Sequence, residues 1–198
     1  MQTEKVLQTD SILARLKART AHQHQQTEDG VDVMSDDFSR EDYRRLLVRF
    51  YAFYKSYEAK MRDALRENPI DLDYEERLNT LKLEADLVNL GMTENEISEV
   101  KAFDVLPALD SKEEIFGSLY VIEGSTLGGQ YISRHLKEKF GLDETNGVAF
   151  FSGYGKDTGK MWNAFRESIT AFAETTSEHE AIIKSANATF EKIGKALR

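Results

Sequence analysis

Apolar positions along this chain recur at three- and four-residue spacing, and no stretch alternates apolar with polar as a half-buried strand would. From a cap at Asp10 or Ser11, Leu13, Leu16, Thr20 and His24 follow one helical face to about Asp29. Ser39 opens a second helix, roughly 40 to 67, carrying Tyr43, Leu46, Leu47, Phe50, Tyr51, Phe53, Tyr54 and Tyr57. Pro69 and two aspartates mark a break, and a third helix over about 73 to 90 ends at Gly91, a residue suited to the left-handed turn after a helix. Thr93 with Glu96, and Ser111 with Glu114, have the spacing of capping boxes; the second would start a long helix to about Phe140, with Gly141 behind it. Residues 146 to 159 are rich in glycine and aromatics and read as a loop, followed by a helix over about 159 to 175. Ser177 with Glu180 is expected to cap the last helix, whose stripe is Ile182, Ile183, Ala186, Phe190, Ile193 and Leu197. The fold class is all-α, a compact bundle of six to eight helices in a single domain over 1–198, with residues 1–9 expected to form a flexible N-terminus.

Composition fits this picture and narrows function. The 198 residues are 40% apolar and 10% aromatic, enough for a full core. A net charge of −9 argues against nucleic acid as the main partner, since a phosphate-binding surface needs a basic excess. Local basic clusters remain: Arg15, Lys17 and Arg19, and Arg40, Arg44, Arg45 and Arg49, each either a solvated helix face or a docking patch. Without cysteine there are no disulfides, thiolate metal sites or cysteine nucleophiles. The N-terminus lacks the basic start and apolar run of a signal peptide. Glu123, Ser125, Thr126 and Gln130 interrupt the most apolar stretch, Ile115 to Ile132, so no membrane span is expected. The expected location is cytoplasmic.

Two segments carry candidate chemistry. In Thr20-Ala-His-Gln-His24-Gln-Gln-Thr-Glu28 the two histidines lie about 200° apart at about 100° per residue and cannot share a face. Leu13, Leu16, Thr20, His24 and Glu28 stay on one line, so His24 is expected to point inward and His22 outward. An imidazole with one nitrogen on a metal and the other on an acceptor such as Glu28 is the usual histidine ligand. From these residues alone, a core histidine bonded to a backbone carbonyl is the better reading.

The second segment is Glu123-Gly-Ser-Thr-Leu-Gly-Gly-Gln130. Three glycines inside a helix cost about 3 kcal/mol relative to alanine, a large share of a domain's stability. Such a segment persists where something must approach the backbone closely or the helix must bend. That body is either another helix or a flat ligand, with Ser125, Thr126 and Gln130 placing polar groups beside it. Other motifs fail. No histidine has glutamate three residues before it, which excludes the Glu-x-x-His pairs of di-iron bundles. The segment 153–160 has the wrong spacing for a phosphate loop, with Met161 where a hydroxyl is required.

The two segments, in this order and 100 residues apart, resemble the heme oxygenase family. Members share Thr-x-x-x-His-x-x-x-Glu on the first helix, matched by Thr20, His24 and Glu28, and a glycine-rich distal helix. Tyr120-Val-Ile-Glu-Gly-Ser-Thr-Leu-Gly-Gly-Gln130 is similar to the form in bacterial enzymes that supply biliverdin to phytochromes. Phe50-Tyr-Ala-Phe-Tyr54 with Glu58, and Phe150-Phe-Ser-Gly-Tyr-Gly with Met161-Trp162, also resemble family segments. The resemblance implies heme, as substrate and cofactor, held between the first helix and a kinked distal helix. His24 would ligate the iron. Oxygen would bind on the other face beneath Gly124, Gly128 and Gly129, whose close backbone directs hydroxylation to one meso carbon. Lys17 matches the family's basic position for a heme propionate, with Arg166 and Lys160 as further candidates. Reducing equivalents from a ferredoxin-, flavodoxin- or reductase-type donor would yield biliverdin, carbon monoxide and ferrous iron, with a bilin-accepting phytochrome as a further partner. An acidic donor would need one of the basic clusters for docking.

One position departs from many members. Ser125 stands where animal and many bacterial relatives carry an aspartate that organises the water protonating bound oxygen. That makes a heme-binding or storage protein on the same fold the alternative reading. A non-heme member acting on another small molecule is disfavoured because the thiaminase-like branch relies on a cysteine.

Overall fold

A computed structural model describes residues 11–31 and 33–198. The expected flexible start, and Asp10 as alternative cap, lie outside the described residues. Seven α-helices form, α1 (Ile12–Asp29), α2 (Arg40–Glu67), α3 (Thr80–Asn89), α4 (Glu94–Ser98), α5 (Lys112–Phe140), α6 (Thr158–Ala173) and α7 (His179–Ala196), and no strand occurs among the described residues. Ser11, whose hydroxyl accepts from the Ala14 amide, caps α1. Ser39 and Asp42 make a reciprocal box at α2, and Thr93 and Glu96 make another at α4. Gly91 (φ 89°) and Gly141 (φ 69°) take the left-handed turns expected of them.

Three expectations need correction, each because a group distant in sequence or a neighbour competes with the local signal. The third helix divides into a 3₁₀ turn, Glu75–Arg77, and α3. The Glu58 carboxylate, reaching across from α2, accepts the Asn79 amide at 2.5 Å, the Thr80 amide at 3.2 Å and the Thr80 hydroxyl at 2.5 Å. It therefore caps α3 in place of a local residue, and no periodicity reveals that. At α5, Ser111 accepts from the Glu114 amide, but the Glu114 carboxylate accepts from the Asp110 amide instead of closing the box. At α7, Ser177 makes no cap; the helix starts at His179 after Glu178, whose amide donates to the Thr176 hydroxyl.

The closest helix crossing, α5 on α7, depends on Gly117. A Cβ there would lie 2.2 Å from the Ile182 carbonyl oxygen, and the Ser185 hydroxyl donates to the Glu114 carbonyl alongside. Phe116 stacks on Phe172 with centroids 4.7 Å apart, fixing α6 on the same helix. α1 lies along α7, where Arg15 contacts His179 and Glu180 and the Thr27 hydroxyl donates to the Phe190 carbonyl. The loop between α5 and α6 is tied down by Asp86, fully buried, which accepts the Ala149 and Phe150 amides at 2.8 Å each. The Tyr43 hydroxyl donates to the Gly147 carbonyl beside it.

Both basic clusters are largely engaged. Arg44 and Arg45 pair with Glu41 and Asp42, Arg40 and Arg49 donate to the carbonyls of Phe140 and Leu197, and Arg15 and Arg19 reach Glu180. No helix among the described residues is long and apolar enough to cross a membrane.

Candidate functional site

The first wall of the candidate site is α1. Ile12, Leu16 and Thr20 are buried, and the Thr20 hydroxyl donates back to the Leu16 carbonyl at 2.8 Å. His24 is next on that line, but it does not point into the core. Its side chain is 57% exposed, its ring lies 5.4 Å from that of Phe190, and Nε2 stands 3.2 Å from the Glu28 carboxylate. The expected inward orientation is therefore corrected: the stripe leaves the core one turn after Thr20, and the imidazole stands in the open. The Glu28 contact does fit the expectation of an acceptor one turn away, and it leaves the second ring nitrogen for a ligand. Lys17 and His22 are exposed.

The second wall is the middle of α5, which runs as one helix through its glycines. The glycines differ sharply. A Cβ on Gly128 would meet nothing within 4 Å, and one on Gly124 would make only ordinary contact with the Trp162 ring at 3.9 Å. A Cβ on Gly129 would lie 2.6 Å from the Phe151 carbonyl oxygen. Gly129 is buried and lets the following loop pack on α5, so the backbone approach it permits is to the protein itself. Gly124 and Gly128 keep an open backbone.

The hydroxyls beside them are held. Ser125 donates to the Ile122 carbonyl and Thr126 to the Glu123 carbonyl, both at 2.7 Å. Burial pushes the Tyr54 phenol well above its usual value, opposed in part by a hydrogen bond with Ser125. Gln130 is exposed.

Behind the glycines lies a polar cluster. Glu123 is fully buried; its carboxylate takes the Arg77 guanidinium at 2.5 Å and the Tyr154 hydroxyl at 2.9 Å. Burial raises the Glu123 carboxyl above the usual range, while the Arg77 charge pulls it back. Arg77, 3% exposed, also reaches the carbonyls of Asp73 and Met161. Sequence reasoning did not find Arg77 or Tyr154. A glutamate inside the apolar stretch 115–132 announces that it needs a partner, but nothing local says which.

Burial raises the Tyr120 phenol, one turn before Gly124 on α5, and the Thr20 hydroxyl, one turn before His24 on α1, opposes that shift. Tyr120 lies 6.1 Å from Trp162 of α6, and Arg166 follows one turn later, exposed, with Lys160 exposed earlier on the helix. Lys17 and Arg166 are both exposed, on different helices. No contact joins His24 to Gly124, Ser125 or Gly128. Among the described residues no group of three or more His, Asp or Glu could hold a metal ion by itself, so a metal here would have to arrive inside a larger ligand.

Taken together, these are the features of a helical domain with an exposed imidazole on one helix and a backbone-open glycine segment on another. The heme oxygenase family model matches residues 10–198, nearly the whole sequence, and the chain belongs to that family. Among solved structures, the heme oxygenase of Neisseria meningitidis, described in NO- and CO-bound forms, is 26% identical with a TM-score of 0.74, covering 95% of this chain and 90% of that one. The heme oxygenase of Leptospira interrogans shares the fold at 19% identity and a TM-score of 0.73, over 95% of this chain and 98% of that one. That of the cyanobacterium Synechocystis, solved in complex with heme, does so at 18% identity and 0.72, over 95% and 91%. A search of curated protein sequences finds no match.

Proposed function

We propose that this protein cleaves heme, with oxygen and reducing equivalents, to biliverdin, carbon monoxide and ferrous iron. The observation that carries the reading is the pairing of an exposed imidazole, His24 backed by Glu28, with a helix whose Gly128 backbone is open to a flat body. The residues fit heme: the Gly128 face would receive the ring, His24 has a ring nitrogen free for iron, and Lys17 and Arg166 offer cations to propionates. Bound heme supplies the iron at which oxygen is reduced, and the rest is work for the chain.

His24 holds the macrocycle from one side, and Glu28 orients its ring. Gly124 and Gly128 let the helix backbone lie close on the other side, which excludes bulk water from most of the porphyrin edge. Ser125, Thr126 and Gln130 set the polar groups near the reacting edge. The Ser125 hydroxyl would order water near that edge, the part an aspartate plays in many relatives. Electrons come from a ferredoxin-, flavodoxin- or reductase-type donor.

Turnover tests this reading. Protein loaded with hemin and given ascorbate or a reductase system in air is expected to lose its heme absorbance and yield biliverdin. Persistent heme absorbance with the iron kept reduced would instead favour heme storage, the reading that the serine at position 125 supports.

A further inference from the structure

The Arg77–Glu123–Tyr154 cluster needs an explanation, because a buried ion pair is seldom there for stability. Apolar residues of similar volume usually do as well or better, since both charges must be stripped of water. Its placement offers one. Glu123 immediately precedes Gly124, at the head of the part of α5 with the weakest intrinsic helix preference. Two elements converge on its carboxylate, the 3₁₀ turn through Arg77 and the loop before α6 through Tyr154, and Arg77 ties in α6 by donating to the Met161 carbonyl. On the opposite side of α5, Gly128 has nothing against it. The glycine segment is thus anchored from behind and open in front.

We infer that Arg77, Glu123 and Tyr154 are positioning residues that set the height and rigidity of the glycine wall over the bound ligand. The inference deepens the heme reading and rests on it for its second half. Hydrogen bonds to a charged group resist local opening, so losing one should loosen the amides that follow.

Two variants separate positioning from bulk stability. Tyr154→Phe removes one hydrogen bond and keeps the ring. The double variant Arg77→Met/Glu123→Leu replaces the pair by apolar groups and is expected to melt at or above the wild-type temperature. In heme-free protein, hydrogen exchange at residues 124–130 should speed up about tenfold in Tyr154→Phe and at least as much in the double variant. In hemin-loaded protein, the pH midpoint of the ferric high-spin to low-spin optical transition should move in both variants.

Wild-type exchange rates and an unmoved optical midpoint in a well-folded double variant would overturn the inference while leaving the heme reading intact. Altered exchange with an unmoved midpoint would also overturn it, showing a purely structural brace. Absence of any Soret band in the wild type would overturn the heme reading and this inference with it.

Discussion

The two helices that face the candidate site are held in opposite ways. On α1 the imidazole proposed as ligand stands in the open, touched by Phe190 and Glu28. On α5 the functional surface is bare backbone, and the effort lies behind it, in a fully buried carboxylate, a buried guanidinium and a loop packed tightly against Gly129. One wall contributes a side chain that can adjust to a ligand. The other contributes open backbone with a buried ion pair and a packed loop behind it. The difference implies that damage to α1 should be felt in binding, and damage behind α5 in stability first.

The largest expected effect that sharpens this contrast is Glu123→Leu alone, which leaves Arg77 as an uncompensated buried charge. A loss of about 3–5 kcal/mol in chemical denaturation is expected. Next is the pH dependence of the tie between α3 and the loop. Burial raises the Asp86 carboxyl from 3.8 to about 6, against the pull of its two amide hydrogen bonds. Between those values the folded state binds the proton more tightly than the unfolded one, so Asp86 makes stability fall as pH rises from about 4 to about 6. The stability of the wild type relative to Asp86→Asn should decline by about 2–3 kcal/mol across that window and be flat above it, as denaturation at a series of pH values would show.

Gly129→Ala and Gly128→Ala form a finer test. The first drives a methyl into the Phe151 carbonyl and is expected to cost about 1–3 kcal/mol. The second meets nothing and should stabilise the heme-free protein by about 1 kcal/mol through helix propensity, while weakening hemin binding. Melting curves with and without hemin distinguish the pair; equal effects from both would erase the contrast between a packed and an open glycine. The smallest effect is that of His24→Ala on the heme-free fold, within about 0.5 kcal/mol, because the ring is mostly exposed.

What could be seen in the sequence follows from how local each cause is. Helices announced by their own caps and periodicity, such as α1 from Ser11, α2 from Ser39 and α4 from Thr93, match closely. α3 does not, because its cap is Glu58 from another helix. At the site, phase alone separated His24 from His22 and drew attention to the glycines. Phase could not tell Gly129, pressed on the Phe151 carbonyl, from Gly128, pressed on nothing, since that depends on a loop twenty residues away. It also placed His24 inward, because a stripe that begins buried gives no sign of where it leaves the core. Arg77 and Tyr154 stayed hidden for the same reason: ion pairs between distant segments leave no spacing to read.

The central claim, that a heme is held by His24 against the open glycine face, is tested most directly by titrating hemin into wild type, His24→Ala and His22→Ala and recording the Soret band. Wild type and His22→Ala should give the same band. His24→Ala should lose or strongly shift it, with recovery on adding free imidazole. An unaltered band in His24→Ala, with loss in His22→Ala, would contradict the account.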